Sequence, residues 1–236
     1  YIVADAEPVW SRGEKMQLTY PVRNTDRAVG TRISSHIVRQ YGPEGLPDGH
    51  LTVKLKGSAG QSLAAFGMRG LRLEIEGDAN DYVGKGLCGA QIIVTPHKNE
   101  PYTDDVIIGN TCLYGATSGE LYAMGRAGER FAVRNSGATA VVEGCGANGC
   151  EYMTGGKVVI LGSVGDNFGA GMTGGTVYAL NIDKNIDDYL NTDDITTIPL
   201  SDSAEDCYTL IVRHFQLTGS DLTRQLIDNW DESRQQ

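Results

Sequence analysis

Apolar residues in the middle of the chain come in short runs that recur at a nearly constant spacing. The runs begin at Leu51, Leu71, Gln91, Glu120, Thr139, Lys157 and Thr176. Apart from one longer step after Gln91, successive starting points are 20, 20, 19, 18 and 19 residues apart. Runs such as "LTVKL" and "LRLEI" alternate apolar with polar residues, which is the pattern of β-strands. The spacing therefore predicts a structural repeat of ~19 residues.

A second set of apolar segments lies between these runs and keeps the same period. It comprises "SLAAF", "YVGKGL", "TCLY", "RFAV", "CEYM" and "FGAGM". Glycine-rich turns join each segment to the next run, with glycines at Gly67, Gly70, Gly84, Gly86, Gly89, Gly155, Gly169, Gly171 and Gly174. Glycine suits such corners because it accepts positive φ and close backbone approach.

Two short strands and two turns in each repeat leave no room for a βαβ unit, which needs about 30 residues. We therefore expect an all-β parallel β-helix, a solenoid of ~19-residue coils. Alternate side chains of such coils stack inside. The inward columns are then expected to contain Leu73, Ile93, Val141, Val159 and Tyr178.

Helices are expected on both sides of the repeat. Val29, Ile33, Ile37 and Tyr41 recur at four-residue spacing before Gly42, which predicts an amphipathic helix with a glycine stop. Two further amphipathic segments close the chain. We divide it into an N-terminal segment with a capping helix (1–50), the β-helix (51–181), and an acidic connector with C-terminal helices (182–236).

Composition narrows the classes of partner and compartment. The formal net charge is −10, with 30 acidic and 20 basic residues, which disfavours nucleic acid and anionic membranes as partners. No apolar run is long enough to span a membrane, and the first residues lack the pattern of a signal peptide. We expect a cytoplasmic protein. The five cysteines include no CxxC pair, so we expect free thiols and no metal site.

One glycine motif raises the question of a nucleotide. Gly84-x-Gly86-x-x-Gly89 has the spacing of a dinucleotide-binding loop. That motif requires a helix after it, whereas "AQIIVTP" follows here and predicts a strand. No Gly-x-Ser-x-Gly elbow occurs, and the four histidines are scattered. We therefore assign no catalytic, cofactor-binding or metal-binding residue.

The densest polar cluster lies in "GRAGERFAVRNSGATAVVEG". It contains Arg126, Glu129, Arg130, Arg134, Asn135 and Glu143. Three interpretations stay open for it: outward salt-bridge ladders, a contact surface for another domain, or acid–base catalysis. We favour the first two, and we take the six residues as a candidate domain-contact cluster.

Several longer stretches resemble a known family. They include "RAVGTRISSHIVRQYG", "LEIEGDANDYVGKGL", "IIGNTCLYGATSGELY", "GRAGERFAVRNSGATAVVEG" and "NFGAGMTGG". Together they closely resemble the C-terminal GXGXG domain of the glutamate synthase large (alpha) subunit. The resemblance implies a right-handed parallel β-helix in an enzyme that makes two L-glutamates from L-glutamine, 2-oxoglutarate and reducing equivalents.

In that family the chemistry lies in other domains. The resemblance implies an amidotransferase domain with an N-terminal nucleophilic cysteine, and a synthase domain with FMN and an iron–sulfur cluster. A small NAD(P)H-oxidising subunit is a further implied partner. Tyr1 stands where the nucleophilic cysteine would be, and no cysteine triplet is present, so no catalytic residue carries over.

The resemblance thus implies a structural and interaction domain that buttresses the amidotransferase and synthase domains and is inactive alone. Two alternatives stay open: a separately encoded subunit of a split glutamate synthase, and an independent β-helix enzyme. The start at Tyr1 and the ending "DESRQQ" favour an excised domain over a separate subunit.

Overall fold

A computed structural model describes residues 1–98, 105–180, 186–191, 195–200 and 204–234. In this part of the chain ten strands form one sheet with parallel pairing and the order β1-β2-β3-β4-β6-β8-β9-β10. The strands are β1 Met16–Val22, β2 Leu51–Ala59, β3 Leu71–Ala79, β4 Cys88–Thr95, β5 Val106–Ile108, β6 Ser118–Ala123, β7 Arg126–Ala127, β8 Ser136–Val142, β9 Thr154–Ile160 and β10 Gly174–Ala179. Short strand β5 pairs with the end of β3 and with β7.

Along the chain, the described α-helices come before β2 or after β10. They are α1 Ile2–Asp5, α2 Glu7–Arg12 and α3 Thr31–Tyr41 before β2, and α4 Ala204–Thr218, α5 Asp221–Asp228 and α6 Trp230–Ser233 at the end. A 3-10 turn spans Ile186–Asp188. The predicted helix before the repeat is confirmed, including its end at Gly42, where φ is +74°. None of the helices in the described ranges combines the length and apolarity that crossing a membrane requires.

The predicted repeat is confirmed by the register of the strands. Leu51 pairs with Leu71, 20 residues later, and Val158 pairs with Val177, 19 residues later. Because each strand adds to the last in parallel register, equivalent residues of successive repeats lie side by side. Every repeat therefore contributes the same set of positions to the sheet.

The predicted fold class is wrong. An all-β, right-handed parallel β-helix with two strands in each coil is not what forms; the structure is a parallel α/β sheet, 24% helical and 31% strand. The physical reason lies in the second set of apolar segments. Residues 82–86, for example, are in turn conformation, and Tyr82, Gly84 and Gly86 have φ of +63°, +65° and +61°. Alternating left-handed residues cannot extend as a β-strand.

The predicted inward columns are also partly wrong, because β4 pairs with β3 at an offset of 19 residues, whereas the predicted column of Leu73 and Ile93 assumed 20. Leu73 pairs with Ile92, whereas Ile93 pairs with Glu74. A slip of one residue moves a side chain to the other face of a sheet. Leu73 therefore packs in the core on the turn side, and Val141, Val159 and Tyr178 belong to a second apolar cluster on the opposite face. Both faces are buried there, so alternation could not identify the inner one.

The C-terminal helices cover that second face. Cys207 and Ile211 of α4 and Leu226 of α5 pack against Tyr122, Val141, Val159 and Tyr178. Burial of each large apolar side chain contributes about 1.5–3 kcal/mol, so this cluster holds the helices on the sheet. On the same face of β2 and β3, the equivalent positions are occupied by Lys54 and Glu74, which form an ion pair at 3.2 Å. The change from apolar to charged residues explains where α4 lies.

The acidic connector is described only in part. Residues 182–185, 192–194, 201–203 and 235–236 of the C-terminal segment lie outside the described residues, as does residue 181. Residues 99–104, in the longer step after β4, lie outside them as well.

Candidate functional site

The turns of successive repeats share one backbone conformation. Six of them, at residues 62–66, 82–86, 111–115, 130–134, 148–152 and 167–171, have positive φ at their first, third and fifth positions. In the second turn the N–H group of Gly86 donates to the Tyr114 carbonyl of the following turn, and that of Tyr82 donates to Asn110 just before it. The Gly84 N–H donates to the Leu63 carbonyl of the preceding turn. The turns are therefore hydrogen-bonded to their neighbours on both sides, and side chains at equivalent positions form columns.

The predicted turn glycines occupy two kinds of environment. Positive φ occurs at Gly70, Gly84, Gly86, Gly89, Gly169 and Gly171. The other three, Gly67, Gly155 and Gly174, lie where a Cβ would approach atoms of the neighbouring repeat at 2.4–3.0 Å. A Cβ on Gly84 would lie 2.9 Å from Leu113, and one on Gly86 would lie 2.6 Å from the Phe66 ring. The N–H groups of Gly84 and Gly86 donate to carbonyls of Leu63 and Tyr114, so both are already paired with protein atoms.

Aromatic side chains are exposed along the outer side of these turns. Phe66 is 55% exposed and Tyr152 is 54% exposed, and Tyr82 and Tyr114 lie between them in sequence. Monomeric proteins seldom expose several large aromatic residues close together unless the surface binds a partner. We call this surface the aromatic–basic face; it consists of Phe66, Tyr82, Lys85, Tyr114, Arg134 and Tyr152.

Cations lie over the rings of this face. Lys85 Nζ is 5.6 Å from the centre of the Tyr82 ring and 6.0 Å from that of Tyr114. The Arg134 guanidinium is 5.8 Å from the centre of the Tyr152 ring. Such contacts contribute about 0.5–1 kcal/mol at exposed sites and hold the aromatic planes in place. The face thus presents ordered rings and positive charge in a chain of net charge −10.

The candidate domain-contact cluster is divided by the fold. Glu129, Arg130 and Arg134 are exposed on the turn 130–134 or beside it, and Arg130 lies 3.9 Å from Glu151. Arg126 is half-buried in β7. The remaining two, Asn135 and Glu143, are buried. Of the six, Arg134 belongs to the aromatic–basic face.

Asn135 has a local structural role. Its side-chain oxygen accepts hydrogen bonds from the N–H groups of Gly137 and Ala138, and its side-chain nitrogen donates to the Ala138 carbonyl. A buried amide with its donors and acceptors satisfied in this way fixes the turn that leads into β8.

Glu143 lies at the centre of a buried polar cluster that sequence reasoning missed. His214 Nε2 of α4 is 3.2 Å from Glu143 Oε1, and the Ser220 hydroxyl donates to the same oxygen. Because a carboxylate only accepts, Nε2 carries a proton. Ser220 also caps α5 by accepting from the Thr223 N–H. The cap pattern before α5 was the one available signal for Ser220, and no signal indicated His214.

These three residues do not form a catalytic triad. In a triad the histidine lies between the serine and the acid and can take the serine proton. Here the serine and the histidine both contact one carboxylate oxygen, and the side chains of His214 and Glu143 are 0% exposed. The geometry fits a structural role, in which a buried carboxylate holds α4 and α5 on the sheet.

The cysteines are buried thiols with the exception of the half-buried Cys88, and all five are free. Burial raises the pKa of Cys112, Cys145 and Cys207 to about 12 and also raises the pKa of Cys150. Iron–sulfur ligation requires thiolates in close groups. Within the described ranges no group of three His, Cys, Asp or Glu side chains is placed to hold a metal ion.

Comparison with known proteins gives a consistent family. A family model for the GXGXG motif matches residues 1–236. The chain is 54% identical over 233 residues to the glutamate synthase [NADPH] large chain of Azospirillum brasilense, covering 97% of this chain and 15% of that protein. It is 50% identical over 218 residues to ferredoxin-dependent glutamate synthase 2 of Synechocystis (91% and 14%), and 46% identical over 233 residues to glutamate synthase [NADH] of Schizosaccharomyces pombe (97% and 11%). The chain thus spans less than a sixth of these relatives.

Proposed function

The chain belongs to the GXGXG-motif family, as a segment homologous to part of glutamate synthase large chains, and from this premise we propose that it is their structural and interaction domain. In this proposal it buttresses an amidotransferase domain and a synthase domain and supplies no catalytic group. The reaction served is the conversion of L-glutamine, 2-oxoglutarate and reductant to two L-glutamates, in ammonia assimilation.

The observation that carries the proposal is the aromatic–basic face. Four exposed aromatic residues and two cations lie on the ordered turns of a rigid parallel sheet. Tyrosine and arginine are the residues most often found at the energetic centre of protein interfaces. Both side chains also present large contact areas. We therefore infer that this face lies against another domain of the large chain.

Cofactors are proposed to bind elsewhere in the enzyme. Side chains of neighbouring repeats occupy the space beside Gly84 and Gly86, and among the described residues no group of three His, Cys, Asp or Glu side chains is placed to hold a metal ion. FMN and an iron–sulfur cluster would belong to the synthase domain. The names of the relatives specify NADPH, NADH or ferredoxin, so sequences this similar accompany three different electron donors. We infer that this segment does not determine the donor, or whether a small NAD(P)H-oxidising subunit is present.

The proposal is tested by recombining the chain with the remainder of a large chain. The Azospirillum brasilense protein without the homologous segment is expressed separately, and association with this chain is measured by calorimetry. We expect binding, and we expect Tyr152→Ala with Arg134→Gln to weaken it at least tenfold. Lys54→Gln, on the opposite face of the sheet, is the matched control and should leave the affinity unchanged.

Two results would count against the proposal. One is the absence of measurable association between two folded partners. The other is glutaminase activity, glutamate formation or a flavin spectrum from this chain alone, since these would indicate a catalytic unit.

A further inference from the structure

A cavity of about 920 Å³ lies at the end of the sheet opposite to β10. It is bounded by the first residues of the chain, by the end of β1 and by α3. Its floor is apolar and includes Val22, Ile33 and Leu55, which are 5%, 2% and 2% exposed. The volume is within the range of roughly 300–1,000 Å³ that small-molecule sites occupy.

Three arginines line this cavity: Arg27 in the loop before α3, and Arg32 and Arg39 on α3. His36 lies between them on the same side of the helix, at four residues from Arg32 and three from Arg39. Within the described part of the chain, none of the three arginines forms an ion pair. All three arginines are exposed, so their guanidinium groups are accessible to a ligand in the cavity.

One carboxylate, that of Asp26, lines the cavity together with the three arginines. Asp26 Oδ2 accepts a hydrogen bond from the Arg23 backbone N–H at 2.9 Å and so closes a local turn. Asp5 lies nearby, but its Oδ2 accepts from the Tyr20 hydroxyl. A concave surface lined by charges of one sign concentrates the field and attracts ions of the opposite sign. Three guanidinium groups against one carboxylate give the side chains that line the cavity a net positive charge.

We propose that this cavity binds a small organic dianion whose oxyanion groups contact the arginines and whose apolar part rests on the floor. Guanidinium groups recognise carboxylate and phosphate oxygens through paired hydrogen bonds, so either group meets the requirement. The apolar floor favours a ligand with a hydrocarbon part over a bare inorganic ion. The site is separate from the aromatic–basic face, because no residue of that face lines the cavity.

The test uses two probes with the same ring. Phthalate carries two carboxylates, phenyl phosphate carries one phosphate, and inorganic phosphate lacks the apolar part. Binding to the full chain is measured by calorimetry at low ionic strength, with the N-terminal amine acetylated because Tyr1 lines the cavity. We expect at least one aromatic probe to bind with a dissociation constant of about 1 mM or below, and inorganic phosphate to bind at least fivefold more weakly.

Variants locate the binding. Arg32→Gln and Arg39→Gln should each weaken binding of the aromatic probe at least fivefold. Preference for phthalate or for phenyl phosphate shows whether the site takes carboxylates or a phosphate. Arg23→Gln, which removes an exposed arginine that does not line the cavity, is the matched control. The proposal is overturned if neither aromatic probe binds, if inorganic phosphate binds as tightly as they do, or if the control variant weakens binding as much as the two others.

Discussion

Replacing Glu143 with alanine is expected to destabilise the protein strongly. The carboxylate is buried, and it accepts hydrogen bonds from His214 Nε2 and the Ser220 hydroxyl. Alanine leaves both donors buried without an acceptor, and each such group costs about 1–3 kcal/mol, which together gives about 2–6 kcal/mol. Domains of this kind are stable by only about 5–15 kcal/mol, so the loss is a large share of the total.

The assay is equilibrium urea unfolding with two signals. Far-UV circular dichroism follows the whole chain. Trp230 fluorescence in a Trp10→Phe background follows the C-terminal helices, because the Trp230 ring of α6 packs against Tyr208 of α4 with the ring centres 4.9 Å apart. Glu129→Ala, at an exposed carboxylate, is the control and should change stability by less than about 0.5 kcal/mol. A Glu143→Ala variant within 1 kcal/mol of the parent, roughly the low limit for one unpaired donor, would refute the reasoning.

A compensating variant tests the cause of that loss. Glu143→Leu combined with His214→Leu and Ser220→Gly removes the carboxylate together with both of its donors, and glycine at the N-cap of α5 costs only a few tenths of a kcal/mol. Replacing all members of a buried polar cluster by apolar residues is often close to neutral. We expect the triple variant to recover more than half of the stability that Glu143→Ala loses. No recovery would show that packing around the cluster, rather than unpaired donors, is what the single variant damages.

Two further predictions concern the turns and the buried thiols. Gly84→Ala should lower the free energy of unfolding in urea by about 1–3 kcal/mol, because φ is +65° and the new Cβ would lie 2.9 Å from a core leucine. Gly115→Ala, at φ +62° with open space around it, should lower it by less than half as much. Equal losses for the two variants would contradict the packing argument. Burial raises the pKa of the buried thiols in the folded protein to about 12 from the ordinary 9.0. Between these values the unfolded chain loses thiol protons that the folded protein keeps, so the free energy of unfolding should be full below pH 9 and fall as the pH rises towards 12. The expected loss at pH 10 is about 1.4 kcal/mol for each buried thiol. Thermal unfolding between pH 8 and pH 11 measures this slope, and a flat profile would contradict it. The thiols concerned are Cys112, Cys145 and Cys207.

The sequence was most informative where one physical pattern dominates. The ~19-residue period placed the long strands, since stacked repeats must keep their length to stay in register. The Val29 to Tyr41 pattern placed α3. The family was also recognised from the sequence, from motifs spread over most of the repeat.

The errors have identifiable causes. The segments between the long strands are apolar, but residues such as Leu113 and Ala132 adopt positive φ there, at +61° and +57°, and composition does not indicate this in residues other than glycine. These turns were therefore predicted as strands. The inner face was misassigned at Ile93, Val141, Val159 and Tyr178, because both faces of the sheet are apolar where α4 covers one of them.

The polar sites depend on contacts between distant parts of the chain. Glu143 and His214 are 71 residues apart, and Glu143 and Ser220 are 77 apart, so no local motif links them. The aromatic–basic face likewise assembles from residues 66 to 152, one or two from each turn. Its members have no common spacing in sequence, because Lys85 and Tyr152 occupy different positions of the repeated turn.

The central claim is that the aromatic–basic face is covered by other domains in the complete enzyme. Hydroxyl-radical footprinting measures the solvent exposure of these side chains directly, in a whole glutamate synthase large chain containing this segment and in the isolated chain. The buried Tyr122 serves as an internal reference for folding in both proteins. We predict that Phe66 and Tyr152, which are more than half exposed in the isolated chain, react at least fivefold more slowly in the whole protein. Equal rates at both residues in the two proteins would contradict the account.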